Sequence, residues 1–510
     1  MKRASTGVGK LWRNLHKYSS TDTVRDMDKN ARPFQDIPGP RGLYNIPFIG
    51  AMFLFKPFTK YTVETAHLLY NALVNQYGPL VRVRLGEWVV LVSDVGDMET
   101  VMRSEGRYPR RMEPYINVLH CEKYDIPKGV GSLEGEEWHK YRSPLNARMM
   151  KIHSAHQYLP VQNEVADDLV AQIKLGKIQK DGALELFFRY ACESISVIAY
   201  NKRLGYLSPN IENDPSKLQD LKDIQTMFKL MNETLTIPHI LLKALPWKAK
   251  REYNSAANRI ISHATDYYSN TLANIKQRQN DGVVDENNFM MSLLMLDKLS
   301  IEEMGSVAFE LFSSGTESTA RNLQMVLYYL ARNPDKQNKL FQEVIETIGP
   351  RAPLTTEALG KMKYIFACMK ESFRLAYPIL SGPQRYIATD IVLQGYRIPA
   401  GTSVAMMNQK VAKDEKYFPN PEAFLPERWL RDETGRRMVP IPSSAVLPFG
   451  FGPRQCLGRR FAEQEIDLAL TKIVQHFQVD LEHGHEDVEL RYRIFVGTKH
   501  PIRFIFRTRS

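Results

Sequence analysis

Apolar positions recur three and four apart over much of this chain, the spacing that turns one face of a helix toward a core. Residues 158–200 and 217–280 carry that period. So does a run that opens at Ser300-Ile301-Glu302-Glu303 and stops at Asn333-Pro334. Its first residues spell a capping box, in which serine and glutamate each satisfy the other's backbone N–H. At about 1.5 Å per residue the run spans roughly 50 Å, enough to cross a domain. Another helix is marked by Phe461, Ile466, Leu468, Leu470, Ile473, Val474 and Phe477. Val81-Arg82-Val83-Arg84-Leu85 and Val89-Val90-Leu91-Val92 flank Gly86-Glu87 and predict a β-hairpin. Phe34 to Pro40 reads as a stiff hinge where the globule begins. Tyr108 to Gly135, punctuated by Pro and Gly, reads as a long loop, and loops of that length inside a domain are usually functional.

Two interruptions of the pattern carry candidate chemistry. Ser313 to Thr319, in the middle of the 300–333 run, are poor helix formers between strongly apolar stretches. A solvated polar face is one reading. In the other, Gly315 lets the helix open and frees a carbonyl, while Glu317 and Ser318 supply an acid and an alcohol for proton relay. The second interruption is Phe449-Gly450-Phe451-Gly452-Pro453-Arg454-Gln455-Cys456-Leu457-Gly458-Arg459-Arg460. Its glycines permit positive φ and remove side chains, so a flat ligand can approach the backbone. A cysteine at a helix start meets the positive end of the dipole and unpaired N–H groups, both of which favour thiolate. A thiolate so placed is a metal ligand or a nucleophile. A bare G-x-x-x-C would serve equally as a turn with a buried cysteine.

Composition narrows the partners. The chain has 510 residues, 43% hydrophobic and 25% charged, ordinary for a globular protein. Length alone suggests about three domains. Cys121, Cys192, Cys368 and Cys456 are scattered, with neither zinc spacing nor a disulfide framework, which fits a reducing interior. A net charge of +11 and a pI near 9.2 call for a negative partner. No nucleic-acid motif accompanies the charge, so an acidic protein or an anionic membrane surface is favoured. Lys2, Arg3, Lys10, Arg13 and Lys17 precede the first acid, Asp22, as in a mitochondrial transit peptide; a basic tail is the alternative. Ile46 to Phe55 is too short to span a bilayer and is broken by Pro47 and Gly50. Leu241 to Arg251 mixes apolar and basic residues, either a helix connection or an interfacial patch in which Leu245 and Trp247 enter lipid.

The spacing F-x-x-G-x-R-x-C-x-G around Cys456 resembles the haem-binding loop of a cytochrome P450, and further motifs follow in that family's order. The resemblance implies Cys456 as axial thiolate to the iron of haem b, with Phe449, Arg454 and Gly458 in the cofactor-binding loop. Trp138 and Arg142, four apart, match the pair that holds a haem propionate, and Arg385 in a strand opening at Gln384 matches another propionate ligand. Leu380 to Pro383 would overlook the haem, and Arg493 to Thr498 would enter the same pocket as a hairpin tip. Ser314 to Thr319 matches A-G-x-D/E-T-T, with Ser318 where threonine is usual; Glu317, Ser318 and Thr319 would relay protons to bound dioxygen. Glu371 and Arg374 match E-x-x-R, and Arg428 the P-E-R-W element, together implying a buried structural triad.

A fold follows from the same resemblance: mainly α with a small β part, the haem between the long central helix and the cysteine-loop helix. Residues 34–510 would form one domain behind a leader at 1–33. The implied reaction inserts one oxygen atom of O₂ into an unactivated C–H bond. Arg459-Arg460, the basic leader and the expected lack of a membrane anchor resemble the mitochondrial branch. That branch takes electrons from an adrenodoxin-like ferredoxin and often acts on steroids, sterols or secosteroids at the matrix face of the inner membrane. Lys370, Arg459 and Arg460 are the expected docking residues, although Phe366 replaces a usual lysine, and the arginines would alternatively satisfy Glu463. Xenobiotics or fatty acids are alternative substrates. A haem-thiolate isomerase or dehydratase, or a haem sensor, are other classes; the acid–alcohol pair argues against an isomerase or dehydratase.

Overall fold

The computed structural model describes residues 30–47, 49–178, 182–280, 289 and 299–509. Eight helices position the site: α1 (Gly135–Met149), α2 (Leu159–Lys174), α3 (Leu184–Ala199), α4 (Pro215–Thr234), α5 (Lys248–Asn280), α6 (Ile301–Arg332), α7 (Lys363–Leu375) and α8 (Arg459–His476). Each of the two long periodic stretches therefore divides. Gly176 in the left-handed region follows α2, and Pro238 and Pro246 bracket a short helix, His239–Ala244, between α4 and α5. The segment expected as a loop from Tyr108 to Gly135 contains a helix, Tyr115–Tyr124, behind Pro114. Proline before a first turn starts helices as well as loops, and there the apolar Ile116 faces the core.

The strands are β1 (Leu80–Leu85), β2 (Glu87–Val92), β3 (Gln384–Tyr386), β4 (Ile391–Leu393), β5 (Tyr396–Ile398), β6 (Ser403–Met406), β7 (Phe477–Leu481), β8 (Leu490–Arg493), β9 (Phe495–Thr498) and β10 (Phe504–Thr508). The largest sheet runs β1-β2-β6-β3. Its β1–β2 hairpin pairs Val83 with Val89 and Leu85 with Glu87 around Gly86, the expected turn. A smaller core gathers on this sheet through Val81, Val90, Leu91 and Val404; the larger one is helical. Arg32, ahead of the expected hinge, already exchanges backbone bonds with Gly395 and Arg397. The basic leader up to residue 29 lies outside the described residues. Among those described, no helix is long and apolar enough to cross a membrane.

α6 crosses the body behind its capping box, in which Ser300 N donates to Glu303 Oε2 at 2.7 Å and Glu303 N to Ser300 Oγ at 3.2 Å. It does not open at Gly315 but stays helical throughout. The poor helix formers are accommodated by local bonds: Ser313 Oγ donates to Phe309 O (2.9 Å), Thr316 Oγ1 to Phe312 O (2.7 Å) and Ser318 Oγ to Ser314 O (2.8 Å). Gly315 has a different use. A Cβ there would stand 2.9 Å from Ile195 Cγ1, so glycine lets α6 press against the fully buried inner face of α3.

Candidate active site

The cysteine loop is a tight turn shaped by Gly450 (φ 71°) and Gly452 (φ 62°), closed by Cys456 N donating to Phe449 O at 2.7 Å. It delivers Cys456 just ahead of α8. The open surface of Cys456 faces a cavity of about 420 Å³ between α6 and α8, walled by Leu311, Ser314, Ser318, Phe449 and Phe461 among others. Burial raises the Cys456 thiol above its ordinary range, while the Gly458 N–H and the nearby Arg142 and Arg111 pull it down without overcoming burial. A bound metal would deprotonate the thiol outright.

One wall of the cavity gathers Arg111, Arg142, Arg385 and Arg454. Arg454 donates to Pro109 O and Leu133 O, both at 2.7 Å, and its guanidinium lies 4.1 Å from the centre of the Trp138 ring. Arg142 Nη2 donates to Gln455 O at 2.6 Å, while its buried Nε has no partner. Arg385 pairs with Glu105 and donates to Phe451 O at 3.2 Å. Burial, reinforced by Arg111 and Arg385, pulls Arg454 down to about 9; burial lowers Arg142 to about 10. Excess guanidinium charge with an unused donor calls for an anion, and carboxylates match the guanidinium fork. A flat dicarboxylate ligand whose metal accepts a thiolate, as haem iron does, fits this donor set.

On α6 the structure brings Ser318 and Thr319 to the cavity but not Glu317. Glu317 is fully buried and bonded to Arg321 at 2.5 Å, with Oε2 unpartnered. Its carboxylate thus sits beside the alcohol in sequence and away from it in space. Thr319 Oγ1 instead meets Glu465 Oε2 at 3.3 Å. Glu465 lines the cavity, and burial pushes it up to about 8, so it holds its proton at neutral pH. Sequence reasoning missed Glu465 and also Glu310, Arg111 and Glu105. The available signal was an acid on an apolar helix face: Glu465 stands one turn after Phe461, and Glu310 interrupts Phe309 and Leu311.

The family model described as Cytochrome P450 matches residues 40–506. The chain belongs to the cytochrome P450 family. It is 30% identical over 491 residues to Cytochrome P450 10 of Lymnaea stagnalis, covering 94% of this chain and 86% of that one. It is 30% identical over 492 residues to the mitochondrial cholesterol side-chain cleavage enzyme of Oncorhynchus mykiss, covering 94% and 91%. It is 29% identical over 482 residues to Cytochrome P450 27C1 of Danio rerio, covering 92% and 86%. The chain is accordingly a monooxygenase with a haem-iron cofactor, of the mitochondrial type, in a mainly helical fold with small sheets.

In this cytochrome P450, Glu371, Arg374 and Arg428 come together behind the cysteine loop. Glu371 accepts from Arg374 Nε (2.9 Å) and Nη2 (2.8 Å), Arg428 Nε (2.9 Å), Leu425 N (3.0 Å) and Trp429 Nε1 (2.8 Å). Arg374 also donates to Ala412 O, Pro421 O and Ala423 O, so the E-x-x-R helix and the P-E-R-W turn are tied through one carboxylate. Lys370, one residue before Glu371, lies over the Phe366 ring at 4.4 Å; burial, then Arg437 and Arg459, lower it to about 8. Arg459 and Arg460 both pair with Glu463, at 2.9 and 3.3 Å, the local satisfaction that competes with docking. Each guanidinium nevertheless stays about a third exposed.

Proposed function

We propose that this cytochrome P450 hydroxylates a lipophilic substrate of the steroid, sterol or secosteroid class, using haem b ligated by Cys456 and electrons from an adrenodoxin-like ferredoxin. The observation that carries the reading is Cys456 facing a largely apolar cavity whose charged wall is built mainly of arginines. When bound, the haem supplies the iron at which dioxygen is reductively activated. Cys456 Sγ would hold the iron, and Arg142, Arg385 and Arg454 would hold the carboxylates. Trp138 would join Arg142 at a carboxylate, Phe449 would pack against the cofactor, and Gly458 leaves open space beside it. Leu311, Ile379 and Phe495 keep the substrate side dry and apolar. The Ser318 hydroxyl, which donates to Ser314 O, lines the cavity and would relay a proton by accepting one on its oxygen as its own O–H proton is given up. The protonated Glu465 behind Thr319 is a second proton store.

The mitochondrial matrix site is supported by the likeness to mitochondrial enzymes such as the cholesterol side-chain cleavage enzyme and by the basic leader. Peripheral membrane attachment is supported by Ile240, Leu241 and Leu245, 65%, 43% and 46% exposed beside Lys243 and Lys248. The test is reconstitution of holoprotein with NADPH, ferredoxin reductase and ferredoxin, after a binding-spectrum screen of sterols, secosteroids, fatty acids and xenobiotics. A sterol-class product heavier by one oxygen is expected. Turnover better supported by a diflavin reductase would remove the ferredoxin and the mitochondrial site while leaving the haem-thiolate chemistry intact.

A further inference from the structure

Glu310 lies on the cavity face of α6, one turn ahead of Ser314, yet its carboxylate is engaged by the protein itself. Gly131 N donates to both oxygens, at 2.7 Å to Oε1 and 3.0 Å to Oε2. The carbonyl of the same residue is held from another side: Arg111 donates to Gly131 O from Nη2 at 2.8 Å and from Nε at 3.2 Å. The surroundings are cut to the carboxylate. A Cβ at Gly131 would stand 1.9 Å from Glu310 Oε1, and one at Gly129 would stand 2.5 Å from Oε2. Neither glycine has the positive φ that would by itself demand glycine. The space taken by the carboxylate demands it.

The Gly131 peptide belongs to the stretch 108–134 that supplies Met112, Val130 and Gly131 to the cavity wall. Arg454 of the cysteine loop clasps that stretch at Pro109 O and Leu133 O. Glu310 is the tie from the opposite side of the cavity, across 179 positions of sequence. Burying a carboxylate beside an apolar cavity is costly unless it accepts hydrogen bonds. Here burial raises it above its ordinary range, and Arg111 with the Gly131 and Val130 N–H groups opposes that shift. A group retained at such cost, meeting a cradle of two glycines, is a built contact between wall and helix.

We propose that Glu310 is a positioning residue that latches the 108–134 wall to α6 and thereby sets how long a small molecule stays in the cavity. The inference rests on this cavity being the haem and substrate cavity, and on neither the substrate class nor the electron donor.

The test uses holoenzyme and two readouts: amide hydrogen exchange of the peptide covering residues 129–133, and the dissociation rate of 4-phenylimidazole followed by its haem-coordination spectrum. Glu310→Ala should accelerate both by at least about tenfold, the scale of one charge-assisted hydrogen bond, while exchange in α3 stays unchanged. Glu310→Gln, which keeps one acceptor oxygen, should fall between. Gly131→Ala should mimic Glu310→Ala, because a methyl group occupies the place of the carboxylate. The double variant should be no worse than either single one, since deleting the carboxylate makes room for the methyl. Additive effects, or wild-type exchange and probe release in Glu310→Ala, would overturn the latch. So would a Glu310→Gln enzyme that loses turnover with exchange unchanged, because the carboxylate would then act on substrate or protons directly.

Discussion

Replacing Glu371 by alanine deletes the one carboxylate between two buried guanidinium groups. Arg374 and Arg428 are essentially without solvent contact, so neither charge regains water when the partner is lost. Five donors point at Glu371, and at about 1.5–3 kcal/mol for a hydrogen bond to a charged group a naive sum of roughly 8–15 kcal/mol would rival the whole stability of a typical domain. The sum overshoots because Arg374 retains three backbone carbonyls and Arg428 retains Pro419 O and Asn420 O. The cost of breaking a buried pair by removing one partner, about 3–5 kcal/mol, is the better measure. At roughly 2 °C per kcal/mol, the low end for large domains, the unfolding midpoint should fall by about 6–10 °C. The haem-to-protein absorbance ratio should fall with it. Arg428→Met should cost less than Glu371→Ala, because Glu371 then still faces Arg374. Thermal unfolding of holoprotein monitored by circular dichroism measures both. Glu371→Ala protein that is fully haem-loaded, melts within about 2 °C of wild type and merely turns over slowly would refute a structural role and make Glu371 catalytic.

Three further outcomes are expected. Ser318→Ala should keep reductant consumption but divert it to hydrogen peroxide, with Ser318→Thr tolerated; equal coupling in wild type and Ser318→Ala would move the role to Thr319 or Glu465. Asp467 is buried with Oδ1 unpartnered, and burial, then Glu463 and Glu343, raise its carboxyl well above the ordinary range. An acid whose pKa is raised in the folded state destabilises that state fully above the raised pKa, and the penalty fades as pH falls from there toward the ordinary carboxylate range. Asp467→Asn should therefore stabilise by about 1–3 kcal/mol in urea unfolding at neutral and higher pH and lose that gain in acid; a pH-independent effect would contradict this. Lys370→Glu and Arg460→Glu should raise the apparent Michaelis constant for ferredoxin, less so at high salt, with substrate binding unchanged. Because Lys370 loses its proton near 8, wild-type ferredoxin affinity should weaken as pH rises through that value, and a flat profile would exclude Lys370.

What was legible from the amino-acid order is what local chemistry dictates. The ends of α6 are announced by its capping box and by Asn333-Pro334, and the β1–β2 hairpin by alternation around Gly86. The cysteine loop was readable because its glycines and Cys456 act within one turn. Features depending on distant partners were not readable. Gly315 looked like a helix opening, but Ile195, 120 positions earlier, makes it a packing glycine. Glu317 looked like the acid of an acid–alcohol pair, and Arg321 turns it away. Glu465 and Glu310 acquire meaning only through Thr319 and Gly131, 146 and 179 positions away. The helix at Tyr115–Tyr124 was hidden by the Pro and Gly residues around it, whose local preference outweighed its short apolar repeat.

The measurement closest to the central claim is the absorption spectrum of the reduced carbon monoxide complex, recorded for wild type and for Cys456→Ser and Cys456→His. Cys456 is the one cysteine that lines the cavity among the described residues. Wild type should show the red-shifted Soret band that thiolate ligation confers, and both variants should lack it even where haem is retained. A Cys456→Ser protein with an unchanged band would contradict the account, because the iron would then have another thiolate ligand.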